Sequence, residues 1–174
     1  METNTNREML PMRRNHRFAT GLTTLLFTAL LTATPSDIPL MNAVQEGDSQ
    51  LISILLRDGE NPNAVSADGT SALHWAAYRN DSAAVELLLE AGATVGATNR
   101  YGVTPLSLAS ARAYSGVVRQ LLEAGADPKT ALPGDETVLM SAARAGSVDT
   151  VKTLIAHGAD VDSAEDTRGQ TALM

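Results

Sequence analysis

The fold of this chain is decided by residues 68–93, which read DGTSALHWAAYRNDSAAVELLLEAGA. The glycine near the end of this stretch recurs at a fixed interval of 33 residues, and so do a leucine, an alanine and a β-branched aliphatic residue. A unit this short buries its apolar face only against its neighbours, so the period predicts a stacked solenoid. The recurring sets are Gly59, Gly92, Gly125 and Gly158; Leu40, Leu73, Leu106 and Leu139; Ala43, Ala76, Ala109 and Ala142; and Ile52, Val85, Val118 and Val151.

Each unit contains two groups of apolar residues with helical spacing. Both groups follow the i, i+3, i+4 pattern of a short amphipathic helix, which predicts two helices in every unit. The glycine at the period readily adopts the left-handed conformation that closes a helix, so we expect it to end the second one. In the quoted stretch the two groups are Leu73, Ala76 and Ala77, and Val85, Leu88 and Leu89.

Polar residues mark the ends of these helices. Asp48, Asp81 and Ser147 occupy equivalent positions before the second helix, where a side-chain oxygen accepts from free backbone N–H groups as an N-cap. The pair Asp68-Gly69 suits the tip of a hairpin that projects between units.

The residues within one unit resemble the ankyrin repeat. Residues 68–77 are similar to the opening of that repeat, residues 102–106 (GVTPL) resemble it more closely, and residues 85–93 resemble its second helix and the following turn. The resemblance covers about residues 37 to 174 and implies an all-α ankyrin-repeat solenoid of helix-turn-helix units with short β-hairpin loops. The expected repeats span about residues 37–67, 68–100, 101–133 and 134–166, with a truncated fifth copy at 167–174.

Three departures from the period predict repeats that differ in structure from the others. The first copy has Ile38 where Thr or Ser stands later, which is typical of a capping repeat. One extra residue falls in the loop 162–169, and the fifth copy stops at Met174, where its first helix should begin. The chain therefore reads as cut short.

The N-terminus has a different composition from the repeats. A basic cluster, Arg13 to Arg17, precedes the uncharged run 18–33, and small residues follow it at 33–36. We interpret residues 1–35 as a secretory signal peptide, with a possible true start at Met12. A membrane span needs about 20 apolar residues, and this run is shorter and rich in threonine. An uncleaved membrane anchor remains the alternative.

The net charge of the repeats limits the classes of partner that they can bind. From Ser36 onward the chain has nine Lys/Arg and eighteen Asp/Glu, a net charge of −9. Such a surface repels phosphate backbones and anionic lipid, so we expect neither nucleic acid nor peripheral membrane binding. A protein or peptide partner is the remaining expectation, with membrane contact only if the signal stays uncleaved.

No residue set indicates an enzyme. His74 lies at the histidine position of the family's Thr-Pro-Leu-His motif, where the resemblance implies a structural hydrogen bond with Ser71 and neighbouring backbone. His157 precedes a helix-ending glycine and is expected to be exposed. No two histidines have metal-ligand spacing, the chain lacks cysteine, and no nucleotide-binding or hydrolase motif is present. We therefore expect no catalytic residue, no metal and no cofactor.

The resemblance also implies a binding groove, formed by the hairpin tips and the exposed side of the first helices. Tryptophan, tyrosine and arginine are enriched at binding hot spots, and several recur near this phase of the repeat. The alternative is that Trp75 and Tyr78 only pack across neighbouring first helices. The expected protein-binding residues are Trp75, Tyr78, Arg79, Tyr101, Arg112 and Arg144.

These observations predict a non-catalytic protein-binding module, an ankyrin scaffold or adaptor. The short signal and the alanine-rich repeats are typical of a bacterial protein exported to the periplasm. Two alternatives stay open: a membrane-tethered ankyrin protein with an uncleaved signal, or the targeting module of a longer enzyme or effector whose catalytic part lies beyond Met174.

Overall fold

The computed structural model describes residues 39–164 and 171–172. The expected signal peptide and the start of the first repeat lie outside these residues, as do most of the extra loop and the fifth copy. The described part contains eight helices in four consecutive pairs. They are α1 (Pro39–Glu46), α2 (Ser49–Arg57), α3 (Ala72–Arg79), α4 (Ser82–Glu90), α5 (Pro105–Ala111), α6 (Ser115–Glu123), α7 (Val138–Arg144) and α8 (Val148–Ala156).

The pairs stack in two parallel rows. The first helices α1, α3, α5 and α7 pack side by side in one row, and the second helices α2, α4, α6 and α8 form the other. Within each pair the two helices also pack on each other. The all-α solenoid expected from the 33-residue period is therefore confirmed.

The recurring apolar residues form one continuous core. The four periodic leucines are at most 1% exposed, and the four periodic alanines are fully buried. Burying one leucine side chain contributes about 1.5–3 kcal/mol, and the small alanines let neighbouring first helices approach closely. In the second-helix row Ile52, Val85 and Val118 are also fully buried, but Val151 is only half-buried.

The expected helix ends are confirmed. Asp48, Asp81 and Ser147 each cap a second helix, accepting from the backbone N–H three residues later. The four periodic glycines all have a left-handed φ, between 86° and 94°. The exception among the second helices is α6, which begins after Tyr114 and has no side-chain cap.

Tight turns link the repeats. Isolated antiparallel bridges join Val65 to Ser71, Ala131 to Thr137 and Ala164 to Thr171, and no longer strand occurs in the described residues. At one tip the backbone approach is very close, because a Cβ on Gly102 would lie 2.9 Å from the Pro133 ring. Only glycine fits there, and its φ of +72° is also left-handed.

Candidate protein-binding groove

An open cleft lies between the second and third repeats, on the side of the first helices. It has a volume of about 340 Å³. Its walls come from helices α3 and α5 and from the hairpin tips that precede them, so neither repeat forms it alone. The lining residues are Thr70, His74, Trp75, Tyr78, Asn99, Val103 and Leu108.

Three of the expected groove residues meet at this cleft. The rings of Trp75 and Tyr78 lie edge to face, with centroids 5.8 Å apart and planes at 80°. The guanidinium of Arg112, from the next repeat, lies over the Tyr78 ring with its Cζ 3.9 Å from the centroid. Trp75 is half-buried and packs against the core, whereas Tyr78 is 41% exposed. The cluster therefore packs across two repeats and also presents an aromatic and cationic surface to solvent.

His74 holds the base of the cleft in place. The Ser71 backbone N–H donates to Nδ1 at 3.2 Å, so this nitrogen accepts and the proton sits on Nε2. Nε2 then donates to the carbonyl oxygen of Val103 in the next repeat, at 3.0 Å. The structural role expected for His74 is confirmed. Burial lowers the pKa of His74, although the hydrogen bond to Val103 and the charge of Asp68 oppose that shift.

The hairpin tip at the edge of the cleft is rigidly hydrogen-bonded. Ser66 Oγ and the Thr70 backbone N–H both donate to the Asp68 carboxylate. These bonds, with that from Ser66 the strongest, lower the pKa of Asp68 to about 2. The next tip is attached to this one through Arg100, whose backbone N–H donates to the Asp68 carbonyl at 2.9 Å and whose side chain donates to the Ala67 carbonyl.

The other expected groove residues lie outside the cleft. Tyr101 is 61% exposed at a hairpin tip, and Arg79 extends toward Gly47 of the preceding repeat. Arg144 forms an ion pair with Glu136 in its own repeat, at 2.8 Å. The structure thus brings Trp75, Tyr78 and Arg112 together but leaves Arg79, Tyr101 and Arg144 apart from them.

A second cleft, of about 470 Å³, lies between the end of the second repeat and the third repeat and extends to the hairpin tip at Pro133. Between the first and second repeats the equivalent gap is bridged by Asn63, which accepts from the Thr94 N–H at 2.7 Å and donates to the Gly92 carbonyl at 3.1 Å. One period later the residue is Gly96, which has no side chain to form that bridge and which lines the cleft. The sequence analysis did not identify this cleft, although the change from Asn63 to Gly96 was its visible signal.

The described residues contain neither a metal-binding cluster nor a membrane-spanning helix. In that part of the chain no group of three or more His, Asp or Glu side chains is placed to hold a metal ion. None of the helices described above is long and apolar enough to cross a membrane.

Comparison with known proteins gives one family. A family model described as ankyrin repeats (three copies) matches the chain over residues 40–131 and again over residues 113–174. The two matches together include every described helix except the first residue of α1. A search of curated proteins finds no match.

Proposed function

Because this chain belongs to the ankyrin repeat family, we propose that it is a protein-binding scaffold or adaptor whose partner occupies the cleft beside Trp75 and Tyr78. Ankyrin repeats are protein–protein interaction modules and are generally non-catalytic. The family indicates the kind of function, and our proposal adds the place on the surface where the partner binds.

The observation that carries the proposal is the cluster of Trp75, Tyr78 and Arg112 around an open cleft. Aromatic rings and arginine contribute most to binding where a pocket is well packed yet open to a partner. Tyr78 has this combination, because its ring packs on Trp75 and Arg112 while 41% of its surface remains exposed. The rigid tip at Asp68 and the fixed ring of His74 further reduce the entropy lost on binding.

A non-catalytic role is supported by the chemistry of the cleft. His74 is the one imidazole among the described residues that line it, and both ring nitrogens already have partners within the fold. Proton transfer to a substrate would require one of those bonds to break. We therefore propose binding without catalysis at this site.

The test is partner capture with matched variants. Partners captured from a periplasmic extract by the unmodified chain are identified, purified and titrated against Tyr78→Ala, Arg112→Ala and a control, Arg119→Ala. Arg119 is exposed on α6, in the other row of helices. We expect Tyr78→Ala to weaken binding by about 30-fold, equivalent to about 2 kcal/mol, in a protein that stays folded but loses about 1–2 kcal/mol of stability with the Trp75 and Arg112 contacts. The proposal fails if Tyr78→Ala and Arg119→Ala bind the same partners equally well.

We further propose that the repeats are exported to the periplasm after cleavage near residues 34–36. The supporting observation is the basic cluster that precedes the uncharged run 18–33. Intact-mass spectrometry of the chain from periplasmic extract and from membranes provides the test. A mature N-terminus near Thr34 to Ser36 is expected; a membrane-bound species that retains Met12 to Phe27 would instead support the uncleaved anchor.

A further inference from the structure

We infer that the segment bound in the cleft carries a side-chain carboxylate beside a large apolar side chain, with the carboxylate on Arg112 and the apolar group in the cleft. This inference rests on the proposed function and adds the chemistry of the partner.

Arg112 is positioned to receive an anion. Its guanidinium carbon lies 3.9 Å from the centroid of the Tyr78 ring, and within the described residues its N–H groups donate to no side chain or carbonyl. Within residues 39–164 and 171–172 the one ion pair is that of Arg144 with Glu136, so no described carboxylate neutralises Arg112. A planar guanidinium already held in place is suited to bind a carboxylate through two parallel hydrogen bonds.

The neighbouring arginines do not offer the same site. The Arg144 guanidinium donates to Glu136, and the Arg100 guanidinium donates to the Ala67 carbonyl. Arg119 is on the row of second helices, away from the aromatic rings. Arg112 is thus the described arginine that combines a free hydrogen-bonding edge with a fixed place at the cleft.

The cleft itself selects an apolar group. Trp75, Tyr78, Val103 and Leu108 supply most of its walls. Two of the polar side chains that line it already have partners, since Asn99 Nδ2 donates to Thr70 Oγ1 at 3.3 Å and both nitrogens of His74 are bonded. A polar occupant would exchange its water for few partners on these mostly apolar walls, whereas an apolar side chain gains about 25 cal/mol per Å² buried.

The two contacts must come from adjacent parts of the partner. Tyr78 supplies both a wall of the cleft and the ring on which Arg112 lies. An extended chain advances about 3.3 Å per residue, so the acidic and apolar residues should be one or two positions apart. A phosphate group would also suit Arg112, but the net charge of −9 from Ser36 onward repels a polyanion more strongly than a single carboxylate.

The experiment is a selection from a random dodecapeptide library displayed on phage, using the purified exported chain as bait. The most enriched peptide is then synthesised with an N-terminal fluorophore and a C-terminal amide, and its affinity is measured by fluorescence anisotropy. We expect enriched peptides to have Asp or Glu within two positions of Leu, Ile, Met or Phe. Replacing that acid by its amide should weaken binding about tenfold or more.

Matched protein variants identify the contact. Arg112→Gln should weaken the parent peptide by the same factor and should not weaken the amide peptide further, because both changes remove one interaction. Arg112→Lys should fall between the two, and Arg119→Gln should bind within about twofold of the parent. Circular dichroism confirms that each variant is folded.

The outcomes separate this inference from the proposed function. Peptides without acidic residues that still lose affinity with Tyr78→Ala would overturn the carboxylate but leave the cleft as the binding site. Peptides insensitive to both Tyr78→Ala and Arg112→Gln would overturn both. Failure to enrich any peptide would also overturn both, because a random library contains the acidic and apolar pair many times.

Discussion

Placing an asparagine at Gly96 should rebuild, between the second and third repeats, the bridge that Asn63 forms between the first two. The Asn63 amide makes two hydrogen bonds, 2.7 Å and 3.1 Å long, to backbone atoms of Thr94 and Gly92. Both of those residues are exposed, so water replaces the lost partner when Asn63 is removed. Each bond then contributes about 0.5 kcal/mol, the low end for a protein hydrogen bond, and Asn63→Ala should cost about 1 kcal/mol.

The geometry at Gly96 permits the reverse change. A Cβ built there meets no atom within 4 Å, and its φ is not left-handed. Gly96→Ala should therefore stabilise the protein by about 0.4–1 kcal/mol, because alanine lowers the conformational entropy of the unfolded chain. Gly96→Asn should exceed Gly96→Ala by about 1 kcal/mol if the two hydrogen bonds re-form.

Equilibrium urea unfolding of the four proteins, followed by circular dichroism, measures this series. The expected order of stability is Gly96→Asn, Gly96→Ala, the parent and Asn63→Ala, with similar denaturant slopes. The reasoning is refuted if Gly96→Asn is no more stable than Gly96→Ala while Asn63→Ala still destabilises. In that case the second cleft would not be a missing copy of the Asn63 bridge.

Three other predictions concern single residues and one helix. Ser110 Oγ is fully buried and has no hydrogen-bond partner among the described residues, so Ser110→Ala should raise the free energy of unfolding by about 1 kcal/mol. Ser141→Ala removes a 2.8 Å hydrogen bond to Glu136 and should not raise it, and urea unfolding of both variants measures the difference. His74 has a folded pKa below its ordinary 6.5, so its contribution to stability is complete above about pH 6.5 and is lost as the pH falls below that value. Between pH 7.5 and pH 5.5 the free energy of unfolding, measured with urea, should therefore fall more for the parent than for His74→Gln. Equal decreases would contradict a lowered pKa for His74. Amides of α8 should exchange with deuterium faster than those of α4, since Val151 is half-buried and Ile155 is 43% exposed while Val85 is fully buried; equal protection would argue against fraying.

The repeated part of the fold could be predicted because its causes are local and periodic. The positions of Leu73 and Ala76 fix which side of the first helix is buried, and Asp81 and Gly92 fix where the second helix begins and ends. Each of these residues acts through its neighbours in the same or adjacent repeat. Because the same residue types recur every 33 residues, the sequence indicates the same two helices in four successive repeats.

The site was harder to predict because it depends on residues that break the period. Arg112 and Arg144 are both arginines near the end of a first helix, but among the described residues it is the fourth repeat that has an acid, Glu136, within reach of its arginine. The equivalent residue one period earlier is Val103, which instead lines the cleft. Whether an arginine is available to a partner thus depends on a residue eight positions before Arg144 or nine positions before Arg112, and the residue type of the arginine alone does not reveal this.

The hydrogen bond from His74 to Val103 and the stacking of Arg112 on Tyr78 both cross from one repeat to the next. The surface that would bind a partner is consequently formed by the junction between two repeats and not by either repeat alone. Duplicating the second repeat would keep one Tyr78 facing Arg112 and would add a junction in which the other Tyr78 faces residues of the second repeat itself. Recognition can therefore change through the order of the repeats, without any substitution in the helices themselves.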